Sequence, residues 1–333
     1  MPDISKINAL AIGSVSKVDG LAKASILDIN GVTVPSAIAA PAAAFSVRLL
    51  GSGLGVPTYT GAAMRVRRDT AGGTGDDDEA DIAFDSGVIS LDSAISNTTS
   101  SASTLGQFLN VGTVGGTTYT NPDSLSGTAL CFVVEWKDQS GNANHASQAT
   151  FGSQPQIHSG TVNTDLITQN GKPAIDLLSG DQNLSGTLSV SGDQTILAVA
   201  TSDASGVETL FSSGSGWGMV RSGTGGNQAA LQTSTSGDTN NFYGTWTTGN
   251  QELHFGFRDG TTSSNSFGRI NGVEGALDLN GTGEISGSFY IGKLLNLNGY
   301  SWDGFVQEII IWGDQSRNKT GIETDVNGFF GIY

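Results

Sequence analysis

Apolar positions in this chain alternate with polar ones or run together briefly, and each run then gives way to glycine, serine, threonine and asparagine. Period-two alternation bounded by turn residues is the mark of a β-strand. It predicts strands over 45–50, 63–68, 80–84, 130–136, 174–178, 194–200, 207–212, 217–220, 228–233, 241–247, 253–257, 266–270, 287–291 and 304–312. Many short strands with no helical segment between them point to a two-sheet antiparallel sandwich and away from a parallel α/β sheet. The pattern changes once, near the end. Ile322, Val326, Phe329 and Phe330 fall on a helical stripe, which predicts a short helix over 316–330 docked on the sandwich, with Thr320 as its cap and Glu323 as the capping-box partner.

The first 36 residues are patterned differently again. They divide into three 11-residue units, 4–14, 15–25 and 26–36. Each unit has β-branched residues at its first and fourth positions, Ile4 and Ile7, Val15 and Val18, Ile26 and Ile29. Turn-forming dipeptides follow, Asn8-Ala9, Asp19-Gly20 and Asn30-Gly31, and two of these contain the glycine that tolerates φ > 0. Each unit is therefore expected to run strand, turn, strand. So short a segment cannot bury a core alone, and its six β-branched residues are the expected contacts with a neighbour or a larger assembly. An Ala/Pro stretch, 37–44, is expected to link this leader, residues 1–40, to a main domain spanning 41–333.

Composition sharpens this picture. Glycine accounts for 48 of 333 residues, about twice its usual share, as tight turns between short strands demand. An apolar fraction of 37% is too high for a disordered chain. The formal charge of −16, with only 15 lysines and arginines, argues against nucleic acid as a partner, because a phosphate backbone is bound by a concentrated cationic face. Arg65, Arg67 and Arg68 form the single basic cluster, and strand alternation divides them between two faces. A lone cysteine, Cys131, excludes an intramolecular disulfide and is expected to be a small buried hydrophobe. No apolar run is long enough for a membrane span, and the N-terminus lacks the apolar core of a secretory signal.

Several groups of residues bear on chemistry. Asp76, Asp77, Asp78, Glu79 and Asp81 are flanked by glycines and could gather around a calcium ion; a hairpin tip between two strands is the plainer reading. No other cofactor is expected. Trp217, Tyr243 and Asn241 place aromatic faces and an amide among small polar residues, the combination that binds sugar rings, although such aromatics equally fill sandwich cores. The segment 138–145 offers a carboxylate, amides and an imidazole, and is expected to fix a turn. His145, His158 and His254 have no metal-ligand spacing. The strand-borne acids Glu135, Asp176, Glu208, Glu252 and Glu308 are scattered, with nothing in their local sequence to mark a catalytic pair.

Several strings resemble one known module. Phe45-Ser46-Val47-Arg48-Leu49-Leu50, Ala62-Ala63-Met64-Arg65-Val66-Arg67-Arg68, Asp81-Ile82-Ala83-Phe84, Trp136-Lys137-Asp138-Gln139-Ser140-Gly141-Asn142-Ala143-Asn144-His145-Ala146, Gln154-Pro155-Gln156-Ile157, Asn170-Gly171-Lys172-Pro173-Ala174 and Gly304-Phe305-Val306-Gln307-Glu308-Ile309-Ile310-Ile311-Trp312 resemble the concanavalin A-like, laminin-G-like domain. The variety they resemble is related to the N-terminal domain of family-54 α-L-arabinofuranosidases, and the resemblance covers residues 45–333. It implies an all-β, concanavalin A-like antiparallel β-sandwich (jelly roll), here preceded by a small β-repeat anchor. Many members of that lineage are virion proteins of tailed phages, and the Ile-x-Lys-Ile-Asn leader resembles those of structural proteins from phages of marine and freshwater bacteria, cyanophages included. The resemblance thus implies a non-enzymatic virion component, a head decoration or fibre or a tail appendage, made in the host cytoplasm and displayed on the particle surface. Its expected partners are other virion proteins through the repeats, further copies of itself and a host-surface glycan. The alternative is a glycoside hydrolase acting on host polysaccharide.

Overall fold

A computed structural model describes residues 36–333 except 71–76, 178–180, 205, 215–216, 223–226, 234–240, 277–283 and 296–299, together with six two-residue strands between residues 6 and 33. Those strands form three separate antiparallel hairpins: Lys6–Ile7 with Leu10–Ala11, Lys17–Val18 with Leu21–Ala22, and Asp28–Ile29 with Val32–Thr33. Their register is the same in every unit, Ile7 opposite Leu10, Val18 opposite Leu21, Ile29 opposite Val32. The 11-residue sequence period is therefore a structural period of one hairpin per unit. Ile4, Val15, Ile26 and the turn dipeptides lie outside the described residues.

The main body is an antiparallel β-sandwich whose ladder closes almost completely around the core. At the centre of one layer is the last strand, Gly304–Trp312, paired along its length with Gln194–Ser202 on one side and with Ala43–Ser46 on the other. Gln251–Arg258 and Phe267–Ile270 extend this layer beyond Gln194–Ser202. The facing layer runs through Leu184–Val190, Ile285–Ile291, Glu208–Ser213, Trp217–Ser222, Gln228–Thr233 and Asn241–Thr245. Phe45 from the first layer meets Phe289 from the second at 5.8 Å between ring centroids. Gly256 is glycine for the same reason of close approach: a Cβ there would lie 2.6 Å from Leu231 Cδ2 of the facing layer. Both faces of Gln194–Ser202 are buried, and the terminal helix packs beside it on Gln251–Arg258.

Each strand expected from sequence is present, with ends moved by a few residues. The 37–44 stretch is not all linker. Ala43 and Ala44 are fully buried members of the strand that pairs with Gly304–Trp312. The serine- and threonine-rich tract 86–127, which lies outside every expected strand, contains a five-residue helix, Leu105–Leu109, capped by the Thr104 side chain, and a hairpin, Gly112–Val114 with Thr117–Tyr119. The terminal helix, Lys319–Phe330, buries Ile322, Val326 and Phe330 as its stripe requires. Its capping differs from expectation: Asn318 is the N-cap, and Glu323 reaches outward to Arg269, with Nη2 to Oε2 at 2.9 Å.

A buried ion network ties the helix and the first strand to the last strand. Glu308 is fully buried on Gly304–Trp312 and accepts from Ser46 Oγ at 2.7 Å and from Arg48 Nε at 2.8 Å. Arg48 also reaches Asp325 of the helix at 3.1 Å and lies over the Phe329 ring at 5.1 Å. The 138–145 segment behaves as its turn chemistry predicts. Asp138 Oδ1 accepts from the Ala44 and Ser140 amides, Asn142 and Asn144 donate to the Ala42 carbonyl, and Gln139 accepts from the Leu50 amide. Polar side chains here do the work of a further strand partner for the segment 42–50.

Two substitutions test this frame. Arg48→Ala strands a buried carboxylate and should cost about 3 to 5 kcal/mol in urea unfolding; a loss below about 1 kcal/mol would mean that the pair behaves like an exposed one. Ile309→Asp puts an unpaired carboxylate at a fully buried position of the central strand and should abolish the native circular dichroism spectrum.

Candidate functional site

Three aspartates converge at one end of the sandwich. Asp176, on the strand Ile175–Leu177, sits opposite Phe305 of the last strand. Asp303 immediately precedes that strand, Asp203 immediately follows Gln194–Ser202, and the Asp203 amide donates to the Asp303 carbonyl at 2.8 Å. No ion pair with a lysine or arginine reaches any of the three among the described residues. Burial, then the charges of Asp203 and Asp303, push the Asp176 carboxyl up to about 6. Asp203 is raised in the same way, by burial and by Asp303. Tyr300, three residues before Asp303, is one of the few large exposed aromatics, and the adjacent Ser301 hydroxyl donates to Asp181 at 2.8 Å.

A second polar group lies just inside this end, between the layers. Glu208 is buried and accepts from Ser202 Oγ at 2.9 Å. Glu252 is buried and accepts from the Thr247 amide at 3.1 Å. Glu252 stands opposite Ala200, two residues before Ser202, so the two glutamates approach the same region from facing layers. His254 Nε2 lies 3.2 Å from Glu252 and its Nδ1 lies 2.9 Å from the Tyr243 hydroxyl. Burial lowers the His254 pKa, so the ring is neutral at pH 7; Nε2–H then donates to Glu252 and Nδ1 accepts from Tyr243. Burial and the Glu252 charge raise the Tyr243 pKa, keeping its proton in place. Trp246 stacks on His254 at 3.7 Å, and Trp302 meets Trp246 edge-on at 4.7 Å.

Chemically, the outer group offers carboxylates of which one, Asp176, holds its proton up to about pH 6, beside an exposed aromatic. The inner group offers buried acceptors and indole faces. Carboxylates that accept from vicinal hydroxyls and rings that pack on apolar sugar faces are the ordinary means of holding a saccharide.

The residues singled out from sequence are distributed otherwise. Tyr243 is a core residue, buried over Gly268 and hydrogen-bonded to His254, so it presents no face to a sugar. Trp217 and Asn241 fall on the strands Trp217–Ser222 and Asn241–Thr245, but their side chains lie outside the described residues. The acidic run does not gather around a cation. Asp77 pairs with Arg67 at 2.7 Å, Asp78 with Arg68 at 2.8 Å, and Glu79 and Asp81 with Arg65 at 2.6 and 3.1 Å. Strand pairing of Met64–Thr70 with Glu79–Ile82 sets these acids against the arginines, and alternation sends neighbours to opposite faces. Asp76 lies outside the described residues. No group of three or more potential metal ligands occurs among the described residues. His145 accepts from the Asp138 amide and His158 lies between the Ala129 and Thr164 carbonyls, both structural roles.

No protein-family model matches the chain, and no curated protein matches it. Among solved structures the chain is similar to a family-54 α-L-arabinofuranosidase soaked with a cyclic sulfate inhibitor, at 15% identity over 85% of this chain and 62% of that one, with a TM-score of 0.46. It is also similar to Trypanosoma rangeli sialidase in complex with the inhibitor DANA, at 11% identity over 60% of this chain and 31% of that one, TM-score 0.39. A third is the heptameric SAP-like pentraxin of Limulus polyphemus, at 14% identity over 45% and 76% of the two chains, TM-score 0.35. The chain spans 62% of the length of the arabinofuranosidase it matches.

The raised Asp176 pKa makes a signed prediction. The folded protein holds this proton up to about pH 6 whereas the unfolded chain releases it near 3.8, so the associated stability is full below 3.8 and is lost as pH rises through 6. Asp176→Asn should therefore raise the melting temperature at pH 7.5, by about 2 °C after discounting for partial exposure, and leave it unchanged at pH 4. Equal effects at both values would exclude the shift.

Proposed function

We propose that this chain is a non-enzymatic virion component of a tailed phage, anchored by its hairpin leader and displaying a sugar-binding sandwich toward the host surface. The observation that carries the anchoring is the uniform 11-residue period of three hairpins, each paired only within itself among the described residues. An isolated two-stranded hairpin is at best marginally stable in water, so an assembled partner, such as other virion proteins or further copies of this chain, is what would hold the leader. Sugar binding is supported by the carboxylate-rich strand ends beside Tyr300, where no lysine or arginine among the described residues pairs with the acceptors. An overall charge of −16 suits a solvent-facing appendage and not a nucleic-acid-packaging role.

Deleting residues 1–36 should leave a soluble sandwich with an unchanged melting temperature that no longer joins purified particles. Incorporation of the truncated protein at normal copy number, counted by mass spectrometry, would refute the anchor. On a host-glycan array, Asp203→Asn and Asp303→Asn should each weaken binding by about tenfold, equivalent to 1.4 kcal/mol.

One observation favours a second reading, a glycoside hydrolase. Hydrolysis requires one carboxyl that keeps its proton and another that stays ionised nearby, and Asp176 among its neighbours approaches that condition. Release of reducing sugar from host polysaccharide, abolished by Asp176→Asn while the fold is retained, would establish this reading in place of the first. The proposal here expects no release.

A further inference from the structure

Phe305 stands at the centre of the aspartate group. It is the second residue of the last strand, with Asp176 opposite it on one neighbouring strand and Thr201 opposite it on the other. Residues opposite each other in a ladder carry their side chains on the same face, with Cβ atoms about 5 Å apart, so Asp176, Phe305 and Thr201 form one row across three strands. Asp203 and Asp303 close the end of that row, joined by their amide–carbonyl hydrogen bond at 2.8 Å, and the charges of both reach Asp176. Glycine at 304 permits this approach, because its φ is +139° and a Cβ there would collide with the Thr201 carbonyl oxygen. The row meets solvent: Asp176, Asp303 and Phe305 are half-buried and Asp203 is exposed, so a ligand can lie over them from outside and needs no cavity.

Two observations show what this face lacks. Thr201 is fully buried and its Oγ1 has no hydrogen-bond partner, although buried hydroxyls are nearly always paired. Beside it, three carboxylates lie within range of one another's charge, and no lysine or arginine among the described residues pairs with any of them. A cation answers both. A metal ion does not suit the place, because no three potential ligands among the described residues are grouped to hold one. An ammonium group does: it carries three N–H donors, bonds at hydrogen-bond distance, and is drawn to a ring face as well as to carboxylates. Neutral hydroxyls alone would leave the repulsion among the carboxylates in place.

We infer that Asp176, Asp203 and Asp303, with the Thr201 hydroxyl and the Phe305 ring, bind the protonated amine of an amino sugar whose nitrogen is not acetylated. This rests on the sugar-binding reading above and deepens it by naming the class of saccharide. A lysine side chain presents the same ammonium with no other polar group beside it. A hexosamine adds hydroxyls next to the amine, which suit the carboxylate oxygens that three N–H donors leave free, and an apolar ring face to lie against Phe305.

The test is a titration of the 15N-labelled full chain with D-glucosamine, N-acetyl-D-glucosamine, D-glucose and Nα-acetyl-lysine amide, read from the backbone amide signals of Asp176, Thr201, Asp203 and Phe305. Glucosamine should shift these signals at pH 7 with an affinity about tenfold above that of each other probe. Its affinity should rise from pH 5 to pH 7, because the cation favours the ionised form of Asp176, which Asp203 and Asp303 face and no basic group pairs among the described residues. Thr201→Val removes an unpaired hydroxyl, so it should keep the melting temperature and weaken glucosamine binding several-fold. Asp203→Asn, at an exposed position, should weaken it about tenfold and carries the test if Thr201→Val does not fold. Equal affinity for glucosamine and its N-acetyl form would overturn the inference, as would tighter binding of the lysine amide, which would mark a protein-docking site instead. If glycan-array binding is lost in Asp203→Asn yet is indifferent to chemical acetylation of free amines, the sugar-binding reading stands and the amine preference falls. Absence of binding to every glycan, glucosamine included, would sink both.

Discussion

The carboxylate of Glu308 has no exposure to water, and the arrangement around it depends on the guanidinium of Arg48. A buried charge without a partner is among the costliest things a fold can contain. Here two parts of the chain supply the compensation, the first strand through Ser46 and the residues that follow it through Arg48, and the terminal helix joins the network through Asp325, which shares the same arginine. Apolar packing could hold strand and helix in several registers. An ion network with one satisfied geometry admits a single one, and it thereby sets how the helix lies across the sheet.

The same rule sorts the rest of the chain's acids. Where carboxylates lie opposite arginines in a ladder, as Glu79 and Asp81 do opposite Arg67 and Arg65, they are neutralised and serve the frame. Where Asp176, Asp203 and Asp303 meet, with no lysine or arginine paired to them among the described residues, burial and the neighbouring charges raise the proton affinities of Asp176 and Asp203. A density of acidic residues in the sequence is therefore a poor guide to a site. The run 76–81 is the densest, and its described members are structural; the functional candidates are spread over more than a hundred residues.

The fold was legible because short alternating runs between turn residues leave few alternatives, and the leader because its units repeat. Elements that escaped notice lacked one of these signals. Leu184–Val190 reads Leu-Ser-Gly-Thr-Leu-Ser-Val, with too few apolar residues to stand out, and becomes a strand through pairing with Ile285–Ile291. Leu105–Leu109 is too short to show a helical period. The aspartate cluster could not be foreseen, because Asp176, Asp203 and Asp303 meet only when three strands distant in sequence become neighbours. Tyr243 was ambiguous for a related reason: an aromatic beside small residues fits a sugar or a core, and the partner that decides, His254, comes from another strand.

The pairing of Ala43–Ser46 with Gly304–Trp312 also sets a timetable for synthesis. The contacts that hold the first strand, such as Ser46 with Glu308, span 262 residues, so the sandwich cannot close until almost the whole chain has left the ribosome. Each leader hairpin closes over only a few residues. At translation rates of about 5 to 20 residues per second, the leader emerges tens of seconds before the body can fold. During that interval nascent chains on one messenger carry hairpin repeats but no finished sandwich.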